Sequence, residues 1–197
     1  MSEKGRPLVE KEIRIFQEFF VQKFDGQMLP LDVVIACWSH YKKGVWGIFE
    51  DNKLIAALDM WPVKKSFIEE LRAGERSELS LSKNDLDLRS GMGKTWLIGG
   101  LAREQGFRNT IKTRKLLYDF FMDWVVRVEK KLPVSVYSFG FSLEGIQILT
   151  NSLGFKRIQK GGELKDNMDL YKGELNTLDQ LKNLPNYLRI KKNSHSR

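Results

Sequence analysis

Cysteine is almost absent from this sequence, in which Cys37 is the single cysteine among 197 residues. One thiol excludes an intramolecular disulfide and a cysteine-based zinc site, and we predict no bound metal. Long apolar runs are also missing, since no stretch approaches the roughly 18–20 residues that a membrane-spanning helix needs. Residues 1–6 are polar. We therefore predict no signal peptide and expect a cytoplasmic protein that does not associate with a membrane.

The chain also lacks internal repeats, long linkers and low-complexity tracts. With 42% hydrophobic residues, 12 Phe and 5 Trp, its composition is that of a globular protein. We predict one domain over residues 1–188 and a basic tail, residues 189–197, that we expect to be disordered. The net charge of +8 favours polyanionic partners such as nucleotide cofactors or nucleic acid. The sequence leaves open whether the protein is a monomer or a homodimer.

The clearest pattern lies between residues 95 and 131. Residues 95–102 are apolar or small apart from Thr95, which is typical of a strand covered on both faces. Residues 103–109 are polar and include a glycine, which indicates a loop. From Thr110 onward, apolar residues recur every three or four positions, which predicts a helix that Pro133 prevents from continuing.

The start of this helix carries charge of the wrong sign for an isolated helix. Helix N-termini attract carboxylates, yet Arg108, Lys112, Arg114 and Lys115 cluster here and residues 105–118 contain no Asp or Glu. Each misplaced cation would cost about 0.3–1 kcal/mol at low salt. A bound anion would reverse this effect, because the backbone N–H groups, the helix dipole and the cations would all favour it. The pattern favours a phosphate-type ligand, although a solvated basic face would explain it equally well.

The remaining pattern predicts an α+β (mixed α/β) fold, a mixed sheet with helices on its faces. Helices are expected at residues 9–24, 31–41, 64–73, 142–154 and 178–184, with Ser142 as an N-cap. Strands are expected at residues 45–49, 54–61, 134–141, 155–159 and 168–173. Residues 75–94 show little periodicity. We interpret them as an ordinary excursion with a short helix, and a substrate-facing loop is the alternative.

Two motif-like patterns carry little weight. Residues 91–95 end like a Walker A loop, but Leu88 occupies the first glycine position and Thr95 leads into a strand instead of a helix. We therefore reject ATP or GTP binding. Cys37 and His40 lie three positions apart on a predicted helix and could form a catalytic dyad. No orienting Asp or Asn is evident, so we favour a packed helix beside the sheet.

The order of elements resembles that of the GNAT acyltransferases. The resemblance is carried by the strand, basic loop and helix of residues 95–131, the strand at 134–141 and the ending Leu153-Gly154-Phe155. It implies a central mixed, mostly antiparallel sheet flanked by helices. It also implies transfer of an acyl group from acetyl-CoA, or another acyl-CoA, to an unidentified amine by direct attack.

The resemblance further implies a site for the CoA co-substrate. In that family a Gln/Arg-x-x-Gly-x-Gly/Ala loop binds the pyrophosphate; Arg108 matches its first position, whereas Ile111 and Thr113 replace its two small residues. Backbone N–H groups of residues 109–114 would hold the pyrophosphate, and N–H groups of residues 101–103 would meet the thioester oxygen. The predicted cofactor-binding residues are Leu101, Ala102, Arg103, Arg108, Asn109, Thr110, Ile111, Lys112, Thr113, Arg114 and Ser142.

The catalytic acid and base are not marked by a motif. Many family members place a glutamate on the central strand and a tyrosine four residues before the late glycine. Here residues 96–102 contain no ionisable side chain, and the tyrosine position is Thr150. The catalytic candidates are Asp59, on the second hairpin strand, and Tyr137, on the strand after the long helix. A structural role for either residue, with a water chain as base, is the alternative.

A protein that keeps this fold without turnover is the alternative function. It would hold CoA as a ligand or bind nucleic acid through its basic surface. Trp38 and Tyr41, next to Lys42 and Lys43, could offer aromatic stacking to bases. The same helical spacing also fits core packing.

Overall fold

A mixed seven-stranded sheet runs through the computed structural model, which describes residues 4–88 and 93–180. In chain order the strands are β1 (Arg6–Pro7), β2 (Val45–Glu50), β3 (Lys53–Pro62), β4 (Thr95–Arg103), β5 (Val134–Gly140), β6 (Lys156–Gln159) and β7 (Asp169–Leu175). Their spatial order is β1-β2-β3-β4-β5-β7-β6. The strands β4 and β5 are parallel, and the other neighbours are antiparallel. The predicted α+β class with a mixed, mostly antiparallel sheet is confirmed.

Helices flank this sheet. They are α1 (Glu10–Lys23), α2 (Leu31–His40), α3 (Lys65–Arg72), α4 (Phe107–Val128) and α5 (Leu143–Gln147), which continues as a π-helical turn over Ile148–Ser152. The apolar face of α4 is buried as its periodicity predicts. Trp124 of α4 packs against Trp96 of β4 with ring centroids 5.5 Å apart, and Phe120 packs against Trp46 of β2 at 5.4 Å. These contacts fix α4 against the centre of the sheet.

The parallel strands β4 and β5 separate partway along their length. Their pairing runs from Thr95 opposite Ser135 to Ile98 opposite Ser138. Beyond Ile98, β4 continues beside β3 as far as Arg103, whereas β5 continues beside β7. A cleft therefore opens between the two strands at the carboxyl end of β4.

A β-bulge marks the point of separation. Asp59 of β3 pairs with Gly100, but the next residue, Met60, pairs with Ile98, so Gly99 is the extra residue of β4. A Cβ atom at Gly99 would lie only 2.3 Å from Oδ2 of Asp59. A side chain at this position would displace the Asp59 carboxyl group, which occupies the space that a Cβ atom would need.

The boundaries of several elements differ from the sequence prediction. The helix expected from Thr110 begins at Phe107, so the loop after β4 covers only residues 104–106. Arg108 and Asn109 therefore belong to the first turn of α4 and not to a loop. Strand β1 has no signal in the sequence pattern, because two residues are too few to show a period.

The remaining expectations concern weakly patterned or undescribed segments. Within residues 75–94 the chain forms two short 3-10 turns, Glu78–Ser80 and Lys83–Asp85, and residues 89–92 lie outside the described part. Of the helix expected at residues 178–184, residues 178–180 are helical. The rest of that helix and the tail at residues 189–197 lie outside the described residues. Among residues 4–88 and 93–180, none of the helices is both long and apolar enough to span a membrane.

Candidate active site

The cleft between β4 and β5 has apolar walls. Ile98 and Leu101 line it from β4, Phe139 from β5 and Leu117 from α4, and Ser142 lies at its edge. Within the described residues, the side of β4 that faces the cleft is not paired with β5 beyond Ile98. The backbone N–H and C=O groups there can bond to an extended ligand, as they would to an added strand.

At one end the cleft continues into a groove beside the start of α4. Thr110, Thr113 and Arg114 line this groove from α4, Arg103 lines it from β4, and Glu144 lines it from α5. The first turn of α4 contains no acidic residue, and the leading N–H groups of a helix have no acceptor within the helix. The groove therefore combines the positive end of a helix dipole with two arginines, which suits a diphosphate.

Part of the predicted cofactor set meets in this region. Arg103, Thr110, Thr113 and Arg114 line the groove, and Leu101 and Ser142 line the adjoining cleft. Ala102 is buried on β4 and does not line either cavity. The side chains of Arg108 and Asn109 lie outside what the structure describes.

The other two predicted residues lie on different sides of α4. Ile111 is 38% exposed and is not among the residues that line the groove, so its β-branched side chain does not fill it. Lys112 forms an ion pair with Glu50 at the end of β2. Helical spacing explains the division, because positions 110, 113 and 114 share one face of α4 whereas 111 and 112 lie beside it.

A bidentate ion pair crosses the groove from Arg103 to Glu144. Nη2 of Arg103 donates to Oε1 and Oε2 of Glu144 at 2.9 and 3.1 Å, and Nε donates to Oε1 at 3.1 Å. Glu144 lies in the first turn of α5, where Ser142 is the N-cap, as predicted: its Oγ accepts from the Gly145 N–H at 3.1 Å. A phosphate that binds Arg103 has to compete with the Glu144 carboxylate.

The opposite end of the cleft contains Asp59, which is only 4% exposed. Its Oδ2 accepts a hydrogen bond from Trp61 Nε1 at 2.6 Å, whereas Oδ1 has no partner of normal hydrogen-bond geometry among the described residues. Burial raises the pKa of Asp59 to about 7, although the Trp61 indole and the nearby Gly100 N–H favour the charged form. A carboxyl group with such a pKa can exchange a proton near neutral pH.

Two further acidic residues, Glu78 and Asp166, line the same cavity as Asp59. Glu78 is 9% exposed, and its Oε1 has no hydrogen-bond partner within the described chain. Burial raises the pKa of Glu78 well above its usual range, and the charges of Asp59 and Asp166 add to the effect. Asp166 accepts hydrogen bonds from the Ser77 hydroxyl and, at 2.7 Å, from the Glu78 N–H. It thereby fixes the turn that carries Glu78.

Sequence reasoning did not find Glu78. It lies in the weakly patterned segment 75–94, for which a substrate-facing loop was the alternative interpretation. The available signal was Ser77, whose side chain accepts from the Leu79 N–H at 3.1 Å as the N-cap of the turn. An N-cap serine indicates that a turn begins, but not that the turn folds over a cavity.

Tyr137, the second catalytic candidate, lies away from these cavities. It pairs with Leu97 of β4 and Lys172 of β7, is 8% exposed, and has the Lys172 ammonium 5.6 Å from its ring centroid. It does not line any of the three cavities described above. Its neighbour Ser138 does line the cleft, where its hydroxyl donates to the Ile98 carbonyl at 3.3 Å. Thr150, at the position where many family members have a tyrosine, donates its hydroxyl hydrogen to the Ile146 carbonyl at 2.8 Å.

The structure favours the packing interpretation for the first two helices. Cys37 is fully buried in α2, and burial raises the pKa of its thiol to about 12, so no thiolate forms near neutral pH. His40 is exposed, with Nδ1 2.8 Å from the Ala36 carbonyl oxygen. Trp38 and Tyr41 are 5% and 8% exposed. Their rings pack in the core and do not present a stacking surface for bases.

Comparison with solved structures identifies the fold. The chain is similar to an acetyltransferase of the GNAT family from Staphylococcus aureus Mu50, with 12% identity and a TM-score of 0.55 over 88% of this chain and 99% of that one. The loading GNATL domain of CurA from Lyngbya majuscula gives 8% identity and a TM-score of 0.62 over 88% and 98%. A PaiA N-acetyltransferase from Thermoplasma acidophilum, solved in complex with coenzyme A, gives 11% and 0.53 over 89% and 100%.

These likenesses establish the architecture: the chain has the fold of the GNAT acetyltransferases, as the resemblance in its sequence implied. No protein-family model matches the sequence, and no curated protein matches it in a sequence search.

Proposed function

We propose that this GNAT-fold chain transfers an acetyl or other acyl group from a CoA thioester to an amine, by direct attack of the amine. The observation that carries the proposal is the order of three chemically different regions along one cleft. The basic groove beside α4 shares Leu117 and Ile148 with the apolar section, which is the part of the cleft between β4 and β5. The apolar section shares Gly99 and Phe139 with the acidic cavity, which is the cavity lined by Asp59, Glu78 and Asp166. A CoA thioester and its acceptor have the matching order: diphosphate, uncharged arm, acyl group and amine.

The diphosphate is assigned to the groove. Arg103 and Arg114 would bind its oxygens, together with the backbone N–H groups in the first turn of α4. The hydroxyl groups of Thr110 and Thr113 are polar partners on the same face. Along the apolar section, the uncharged arm would lie against β4 beyond Ile98 and bond to its backbone. Of residues 101–103, the backbone N–H groups of Leu101 and Arg103 are the proposed donors to the thioester oxygen as charge develops on it, because Ala102 lines neither cavity.

Asp59 is the proposed base. An amine is protonated near neutral pH and must lose a proton before it can attack the acyl carbon. Asp59 has a pKa of about 7, and its Oδ1 has no hydrogen-bond partner of normal geometry among the described residues. It also lies beside the bulge at Gly99, where the apolar section meets the acidic cavity. We assign no side chain to protonation of the departing thiolate, which water can supply.

A calorimetric titration with acetyl-CoA tests the assignment of the groove. We expect binding in the micromolar range or tighter, and we expect Arg114→Ala to weaken it about 5- to 30-fold, because one charge-assisted contact to phosphate contributes roughly 1–2 kcal/mol. Arg72→Ala is the matched control, since Arg72 is an exposed arginine on α3 that does not line the groove. Equal effects of the two substitutions would contradict the assignment.

Release of free thiol in the presence of amines tests the reaction itself. Binding of acetyl-CoA without thiol release across a broad amine panel would favour a non-catalytic CoA-binding protein. Salt-dependent binding to nucleic acid, without affinity for CoA, would favour a nucleic-acid-binding protein instead.

A further inference from the structure

The acidic cavity contains more carboxyl groups than one proton transfer requires. Asp59, Glu78 and Asp166 all line it, and no described Lys, Arg or His does. Asp166 is used within the protein, because both of its oxygens accept hydrogen bonds from the turn at residues 77–78. Asp59 Oδ1 and Glu78 Oε1, in contrast, are buried and have no hydrogen-bond partner in the described chain. Two of the side chains that line this cavity therefore each have a buried carboxyl oxygen without a hydrogen-bond partner among the described residues.

Buried carboxyl oxygens without partners are unfavourable, and such groups are otherwise almost always satisfied. One ammonium group could pair with the Asp59 carboxylate. A second ammonium group would give Glu78 a charge-assisted hydrogen bond as well. It would also favour the ionised carboxylates, which opposes the effect of burial on both side chains.

Apart from the amide of Gln27, the other side chains that line this cavity are apolar. Met28, Leu81, Leu97, Phe139 and Met168 contribute to its walls. Such walls favour an aliphatic chain. The cavity therefore matches a molecule with an apolar middle and a cation at each end.

We propose that the acceptor is an aliphatic diamine, with one nitrogen beside Asp59 and a second, protonated nitrogen beside Glu78. Acylation of this acceptor rests on the proposed function, whereas binding of the dication depends on the cavity alone. In the reaction the first ammonium loses a proton to Asp59, and its nitrogen then bonds to the acyl carbon as the carbon–sulfur bond breaks. The products are the monoacylated diamine, free CoA thiol and one released proton. The second ammonium keeps its charge throughout.

Calorimetric titration of the whole protein with amines, without CoA, tests the binding step. The ligands are unbranched diamines of increasing length, each compared with the monoamine in which a methyl group replaces one ammonium. We expect the best diamine to bind at least about tenfold more tightly than its monoamine, which corresponds to roughly 1.4 kcal/mol. The same comparison is then made in the presence of CoA and, with acetyl-CoA, by the ratio of kcat/KM values.

The variant Glu78→Gln distinguishes loss of the contact with the second ammonium group from loss of the folded structure. We expect it to lower the affinity for the diamine to that for the monoamine and to leave the monoamine affinity unchanged, a pattern that general loss of structure would not produce. Leu79→Lys is a second variant at a more tolerant position, because Leu79 lines the same cavity and is 42% exposed. Its added ammonium should also abolish the preference for the diamine.

The outcomes keep this inference distinct from the proposed function. A diamine preference that depends on Glu78 supports the inference even if acetyl-CoA does not bind. Turnover of monoamines and diamines at equal rates overturns it while the acyltransferase function stands. Equal affinities for both amines, or binding of Mg²⁺ but of neither amine, likewise overturns it.

Discussion

Gly99 determines where the Asp59 carboxyl group can lie. The two residues are 40 positions apart in the chain and meet because β3 and β4 are neighbours with a bulge between them. The sequence shows a pair of glycines in an apolar strand, but the partner that requires one of them belongs to another strand. The sequence pattern could therefore select Asp59 as a candidate base, whereas the reason for Gly99 becomes visible only when the register is known.

Replacement of Gly99 by alanine should displace Asp59 from the cleft. The new Cβ atom would lie 2.3 Å from Oδ2 and 3.0 Å from Cγ of Asp59, and the Trp61 hydrogen bond limits how far the carboxyl group can move. We expect the unfolding free energy to fall by about 1–3 kcal/mol. We expect kcat to fall by a larger fraction of its original value than the unfolding free energy does. Chemical denaturation and thiol-release assays measure these effects. The control is Gly162→Ala, where an added Cβ has no neighbour within 4 Å, and equal results for both variants would contradict the expectation.

At the scale of elements, α4 both packs the core and lines the cofactor groove. Its apolar period was readable in the sequence because buried positions repeat every three or four residues. Which basic residues face the groove was not readable, because this depends on the contacts of each helix face with its neighbours. Arg114 lines the groove, whereas Lys112, two positions earlier, pairs with Glu50 of β2. The excess of positive charge at the start of α4 is present in the structure, but it does not by itself identify which side chains line the groove.

Replacement of Glu144 by glutamine should strengthen CoA binding. The Glu144 carboxylate holds Arg103 through three contacts of 2.9–3.1 Å at the groove and would repel a diphosphate there. Glutamine removes the negative charge and releases Arg103, so we expect the Kd for CoA to fall about 3- to 10-fold. Calorimetric titration gives this value, with Glu163→Gln as a control at an exposed position outside the groove. Weaker binding in Glu144→Gln would instead show that Glu144 positions Arg103 for the phosphate.

At the scale of the molecule, the order of strands and helices was largely predictable and the acidic cavity was not. Local periodicity in the sequence indicates strands and helices, so the sheet and its long crossover helix could be predicted. The cavity is assembled from β3, the turn at residues 77–78 and the loop before β7, which are remote in sequence. Glu78 was missed for this reason, since nothing in its local sequence indicates the carboxyl groups that it meets in the fold.

The buried carboxyl groups should make stability fall as pH rises. In the folded protein the pKa of Asp59 is about 7, above the value of 3.8 for an ordinary aspartate, so the folded state holds this proton more tightly than the unfolded state. The resulting stabilisation is complete below the unfolded pKa and is lost as pH rises through about 7. We expect Asp59→Asn to reduce the difference in unfolding free energy between about pH 5 and about pH 8 by about 3 kcal/mol at most. Urea titrations at both pH values test this, and an unchanged difference in the variant would refute it.

The separation of β4 from β5 also bears on how the chain folds. Ile98 and Ser138, the last pair before the strands diverge, are 40 positions apart and are joined through α4, whereas β2 and β3 are joined by a tight turn. Contacts between remote segments are costly to form, so the hairpin is expected to assemble early and the parallel pair late. We expect a compound that needs both walls of the cleft to bind only after the parallel pair has formed. We expect such a compound to prolong the lifetime of the native state more than it changes the speed of refolding.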